Sequence, residues 1–167
     1  DGLSPDICHV TIDNVSGAAV GHPLIALRNH NGSRIYNVSV ENIRDTEFQV
    51  PCKGMDYRRY AIMRIGNGIY WSTRKSVLGE ISRITVRNID CSYSYDGVVV
   101  NNTLKDSLFS NIRCSGICKS VVSTSGPNWG GQGATLDNIT IENAVMDSKA
   151  RDPQILDVDF LNPGDFV

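Results

Sequence analysis

The chain has 167 residues, 41% hydrophobic and 20% charged, with a formal net charge of −2. That length suits one domain with a substantial core. Scattered basic residues in a slightly acidic chain give no nucleic-acid-binding patch, and no apolar run approaches membrane length, so neither nucleic acid nor membrane is expected as a partner.

In chain order, one six-residue phrase returns five times: apolar, any, apolar, any, Asn, apolar. The copies are Val10–Val15, Val38–Ile43, Ile84–Ile89, Ser107–Ile112 and Ile139–Ala144, the fourth opening on Ser107 where the others have an aliphatic residue. Period-two alternation rich in β-branched residues predicts a strand, and the asparagine predicts a turn at its end. A second strand follows most copies: Leu24–Asn29, Ala61–Asn67, Val98–Asn102, Ser120–Ser123, and a closing Ile155–Val158. No segment has helical periodicity with caps.

The asparagines at 14, 42, 88, 111 and 143 are separated by 28, 46, 23 and 32 residues. A constant phrase at variable steps predicts a solenoid, one strand position per coil with loops of differing length between. The expected fold is all-β, a right-handed parallel β-helix of about five to six coils, occupying 1–167 as a single domain. Asn tolerates left-handed backbone geometry, and amides stacked in register can bond one another, so a structural asparagine ladder is expected. The chain opens on Asp1-Gly2 and little sequence precedes the first phrase, so it is expected to be part of a longer, secreted or cell-surface protein.

Five cysteines are an odd number. Cys91 and Cys114 each follow a phrase asparagine by three residues and should stack; Cys114 and Cys118 enclose a short turn and could bridge. No Cys-x-x-Cys or histidine pair signals a metal, and no cofactor is expected.

Function is expected in loops. Segment 44–60 contains Asp45, Glu47, Asp56, Arg58 and Arg59; segment 67–80 contains Tyr70, Trp71, Arg74 and Lys75; and Trp129 lies in 126–131. Aromatic faces suit apolar sugar faces, and guanidinium groups fork onto carboxylates. Arg58, Arg59, Arg64, Tyr70, Trp71, Arg74 and Trp129 are therefore the candidate residues for binding a polysaccharide or oligosaccharide. Two other readings stand beside this one: the tryptophans cover the end of the core, and Arg64, placed on the outer face of its strand, pairs with Asp45, Glu47 or Asp56.

The opening Asp1-Gly2-Leu3 through Asp13-Asn14 resembles the polygalacturonase-type hydrolases, glycoside hydrolase family 28, in which Asn-Thr-Asp-Gly-Ile leads into such a coil. The stretch Gly21-His22-Pro23-Leu24-Ile25-Ala26-Leu27 resembles that family's Gly-Asp-Asp-Cys-Ile-Ala-Ile, with His22 and Pro23 in place of the paired aspartates. The family's Gly-His-Gly and Arg-Ile-Lys signatures have no counterpart near Arg58-Arg59-Tyr60 or Val98-Val99-Val100; Arg64-Ile65-Gly66 is a partial echo, one coil early. The resemblance implies a right-handed parallel β-helix and an extracellular life on uronate-rich polysaccharide. An inverting glycosidase needs two carboxyl groups roughly 6.5–9.5 Å apart, and this frame does not supply them. Asp1, His22 and Asp56 are the candidates for chemistry. Three expectations stand: glycan binding without turnover, a glycosidase or lyase with catalytic residues elsewhere in a longer chain, and a structural stalk, homo-oligomeric or joined to further domains.

Overall fold

The computed structural model describes residues 5–29, 32–47, 61–66, 79–124 and 134–157. Among them there is no helix. Eleven strands run in chain order: β1 (Ile7–Gly17), β2 (Ile25–Leu27), β3 (Ile35–Asp45), β4 (Met63–Ile65), β5 (Ile81–Cys91), β6 (Asp96–Val100), β7 (Leu104–Gly116), β8 (Ser120–Ser123), β9 (Leu136–Glu142), β10 (Val145–Ser148) and β11 (Gln154–Asp157). All pairing is parallel, and the chain alternates between two sheets. One has the order β1-β3-β5-β7-β10, with β9 also on β7; the other has β11-β8-β6-β4-β2.

The phrase explains the long strands. Its asparagine has a positive φ in every copy: 57° at Asn14, Asn42 and Asn88, 54° at Asn111 and 51° at Asn143. This left-handed residue drops out of the pairing register, which resumes on both sides of it, as between Asp13↔Glu41 and Val15↔Ile43. The strand therefore does not end at the asparagine, as the phrase alone predicts; it bends there and goes on pairing. In the last copy the bend separates β9 from β10.

The bend also resolves the spacing of apolar positions. Strict alternation would send the residue after the asparagine outward. The left-handed residue resets the parity, so Val38, Val40 and Ile43 all point inward, as do Ile84, Val86 and Ile89. Ser107 takes the inward position of the fourth copy. It is buried, accepts a hydrogen bond from the Ile84 amide at 3.0 Å and donates to the Lys105 carbonyl at 2.7 Å.

A second bend lies five residues before each phrase asparagine, just ahead of the phrase. His9, Asn37, Arg83, Asp106 and Asn138 have φ between 49° and 55°. The phrase does not announce it, because four residue types share the position.

Inward side chains from both sheets meet in one core. Ile35, Ile81 and Leu104 form one row in register; Val40, Val86 and Phe109 form another; Ile43, Ile89 and Ile112 form a third. Burying each such side chain is worth roughly 1.5–3 kcal/mol. β6 and β8 are buried along their whole length, so the second sheet is covered on both faces there.

Candidate functional site

Most residues that the sequence singles out for a site, namely Asp1, Asp56, Arg58, Arg59, Tyr70, Trp71, Arg74 and Trp129, lie outside the described residues, as does Cys52. Two lie within. His22 is exposed in a bend before β2. Arg64 is the middle residue of β4, between buried Met63 and Ile65, on the outer face with Ala26 and Val99 as register neighbours.

Four of the five phrase asparagines form the expected ladder; Asn14 instead donates to Asp13 beside it. The amide of Asn88 donates to Asn42 Oδ1 at 3.0 Å, Asn111 to Asn88 at 3.2 Å, and Asn143 to Asn111 at 3.2 Å; Asn42 ends the run on Asp13 at 2.7 Å. Each asparagine contact is used within the scaffold. The earlier bend has rungs too: Arg83 Nε to Asn37 Oδ1 at 2.7 Å, and Asn138 to Asp106 at 2.6 Å. Beside it, Arg34 and Arg83 lie over the Tyr36 ring at 5.5 and 5.2 Å, and Asp6 accepts from Arg34 Nε and Nη2 at 2.9 and 2.6 Å. Those hydrogen bonds hold the Asp6 carboxyl below its ordinary range. This exposed strip is stitched to itself.

Among the described residues, the most exposed aromatic feature is the turn Ser92–Tyr95 between β5 and β6. Tyr93 and Tyr95 are 40% and 49% exposed, while Ser94 between them is buried. The turn is clamped from below. Asp45, at the end of β3 and buried, accepts three consecutive backbone amides: Ser92 on Oδ1 at 2.8 Å, then Tyr93 at 2.8 Å and Ser94 at 2.5 Å on Oδ2. The position of Asp45 in the chain suggests a partner for Arg64; its carboxylate instead serves this turn.

The turn is also held from above. Gly116 has φ +59°, and a Cβ there would stand 2.2 Å from the Ser92 carbonyl oxygen. The Lys119 amide donates to the Tyr95 carbonyl at 2.6 Å, and the hydroxyls of Ser92 and Ser115 are 2.7 Å apart. Charges flank the tyrosines. Arg44 and Asp90 face each other at 3.8 Å, both well exposed, and Lys119 Nζ pairs with Asp157 at 2.6 Å, which raises the lysine's pKa. Two exposed ring faces on a turn held by Asp45 can stack on a sugar; the flanking cations Arg44 and Lys119 are each paired with a carboxylate, which an acidic sugar would have to displace.

No family model matches the chain, and no curated protein or solved structure is significantly similar to it.

Behind the turn lies a buried corner. Cys91 and Cys114 are register partners, as their spacing from the asparagines predicts. Cys118 joins them from the turn before β8, and all three are 0% exposed and unbridged. Hydrogen-bonding contact with Cys118 and then Cys91 lowers the pKa of Cys114; the same contacts, with burial, raise those of Cys118 and Cys91. Asp96, which opens β6, accepts from Ser120 Oγ at 2.5 Å, and burial pushes its carboxyl up to about 6. The sequence offered two thiol pairs; that they are one cluster of three follows from where the 117–119 turn folds.

Proposed function

We propose that the chain forms a right-handed parallel β-helix that binds acidic polysaccharide through the Ser92–Tyr95 corner. Parallel strands alternating between two sheets, bent at in-register asparagines, support the solenoid; the right hand rests on the chirality of parallel crossovers. The binding reading rests on one observation, the pair of exposed tyrosines held by Asp45. The polygalacturonase resemblance supports an acidic glycan and an extracellular setting. In sequence, the 48–60 segment with Arg58 and Arg59 follows directly on β3 and adds cations to the same reading.

Affinity electrophoresis on polygalacturonate, with a neutral glucan as control, tests it. The chain is retarded by the acidic polymer, and Tyr93→Ala with Tyr95→Ala weakens retention at least about tenfold, since each buried aromatic contact is worth about 1 kcal/mol or more. Unchanged retention in the double variant removes the site. Release of reducing ends from the polymer would instead establish a hydrolase or lyase, and trimers that bind no glycan would establish the stalk.

A further inference from the structure

Three sulfurs meet at one point in the corner behind the tyrosine turn. Cys91 is the last residue of β5, Cys114 sits beside it in β7, and Cys118 returns from the turn that leads into β8. Their Sγ atoms all lie within 4.8 Å of one another. The thiols donate to backbone carbonyls, Cys114 and Cys118 to Ser120 O at 3.7 and 3.2 Å and Cys91 to Ser94 O at 3.7 Å, bonds that are given up when a metal displaces the protons. Gly97 forms one wall, where an added Cβ would stand 3.5 Å from Cys114 Sγ.

A zinc–thiolate bond is about 2.3 Å, so three thiolates on one ion lie roughly 4 Å apart. The three sulfurs need to close by about 1 Å or less to reach that spacing. A disulfide would use only two of the three and leave the third facing a bridge it cannot join. The geometry points to a metal site: Cys91, Cys114 and Cys118 hold one thiophilic d10 divalent cation of the Zn(II) class.

Charge and donor chemistry favour this class. Soft thiolates select soft or borderline ions. Three thiolates around a divalent ion leave one net negative charge, less than a monovalent ion would leave in a buried site. Asp96 is not among the groups within 4.8 Å of all three sulfurs; it accepts from Ser120 Oγ instead, so the charge of the site stays at one net negative. Binding displaces the thiol protons to solvent, so affinity rises with pH. The site is independent of the glycan reading: its loss would leave Tyr93 and Tyr95 in question only if the turn itself collapsed.

The test titrates the reduced full chain with Cd(II) alone, then with Zn(II) in competition. One equivalent of Cd(II) is expected to bind, with thiolate-to-metal charge-transfer absorbance of the size given by three sulfurs, and only Zn(II) in large excess competes it away, since thiolates favour the softer ion. Cys114→Ser is expected to weaken Cd(II) by more than roughly a hundredfold, the loss that even an outer-shell change can cause; Cys8→Ser, outside the cluster, is expected to leave it unchanged. Should Cys114→Ser fail to fold, the absorbance per bound ion in the unaltered chain still counts the thiolates. Absorbance for one sulfur or none, or equal affinity in folded Cys114→Ser, overturns the site. So does a disulfide between Cys114 and either neighbour in chain refolded with equimolar Zn(II).

Discussion

Asn88 shows why one residue type returns at one place. Its φ of 57° costs most L-residues roughly 1–2 kcal/mol, and its side chain both donates to Asn42 and accepts from Asn111. Asn88→Ala removes the tolerance and both rungs, and is expected to lower stability by about 1–2 kcal/mol in urea unfolding, with Asn88→Gly losing less. The ladder was legible because one amide meets both demands. The companion bend was not, since His9, Asn37, Arg83, Asp106 and Asn138 fill it with four chemistries. Asp96 makes a different residue-scale prediction. Its carboxyl titrates near 6 in the folded chain, above the ordinary 3.8. Below about pH 4 both states hold the proton. Between about pH 4 and 6 the unfolded chain releases it while the folded chain keeps it, so stability falls as pH rises, by up to about 3 kcal/mol, and is level in this respect above that window. Asp96→Asn is expected to flatten that slope in unfolding curves taken across the range.

At the scale of elements, the corner is a column of turns. Asp45 from β3 caps the amides of the Ser92–Tyr95 turn, and Gly116 at the end of β7 lies against the Ser92 carbonyl. Gly116→Ala is expected to cost about 2 kcal/mol or more in thermal unfolding, because backbone rather than a movable side chain stands in the way. Asp45→Ala leaves three amides without their acceptor. It is expected to weaken polygalacturonate retention even where circular dichroism shows the sheets intact, because the tyrosines lose their support rather than their rings. The tyrosine turn escaped sequence reasoning for a physical reason. Ser-Tyr-Ser-Tyr alternates like a strand, and nothing local says that a carboxylate from 47 residues earlier for Ser92, and slightly more for its neighbours, folds it outward. The tryptophan loops drew attention instead because insertions are visible in a repeat.

Across the whole molecule, β3, β5 and β7 each pair with a strand on either side, whereas β1 pairs with β3 alone, and stability follows that arrangement. The inward residues of β5 are almost wholly buried, whereas those of β1 are only partly covered and Val145, Ile155 and Leu156 are exposed. Amide hydrogen exchange is expected to be slowest in β5 and β7 and to quicken outward towards β1 and β11; uniform protection would contradict a stacked architecture. By itself the sequence determined that the chain is built of repeated, parallel-stacked strands with asparagine at the bend, because alternation, β-branching and left-handed tolerance are local properties that a repeat prints again and again. Only the tertiary structure decided which side chains share a corner. That decision depends on register between segments tens of residues apart, and it brought Cys118 to Cys91, and Asp45 under the tyrosines, where no spacing along the chain records it.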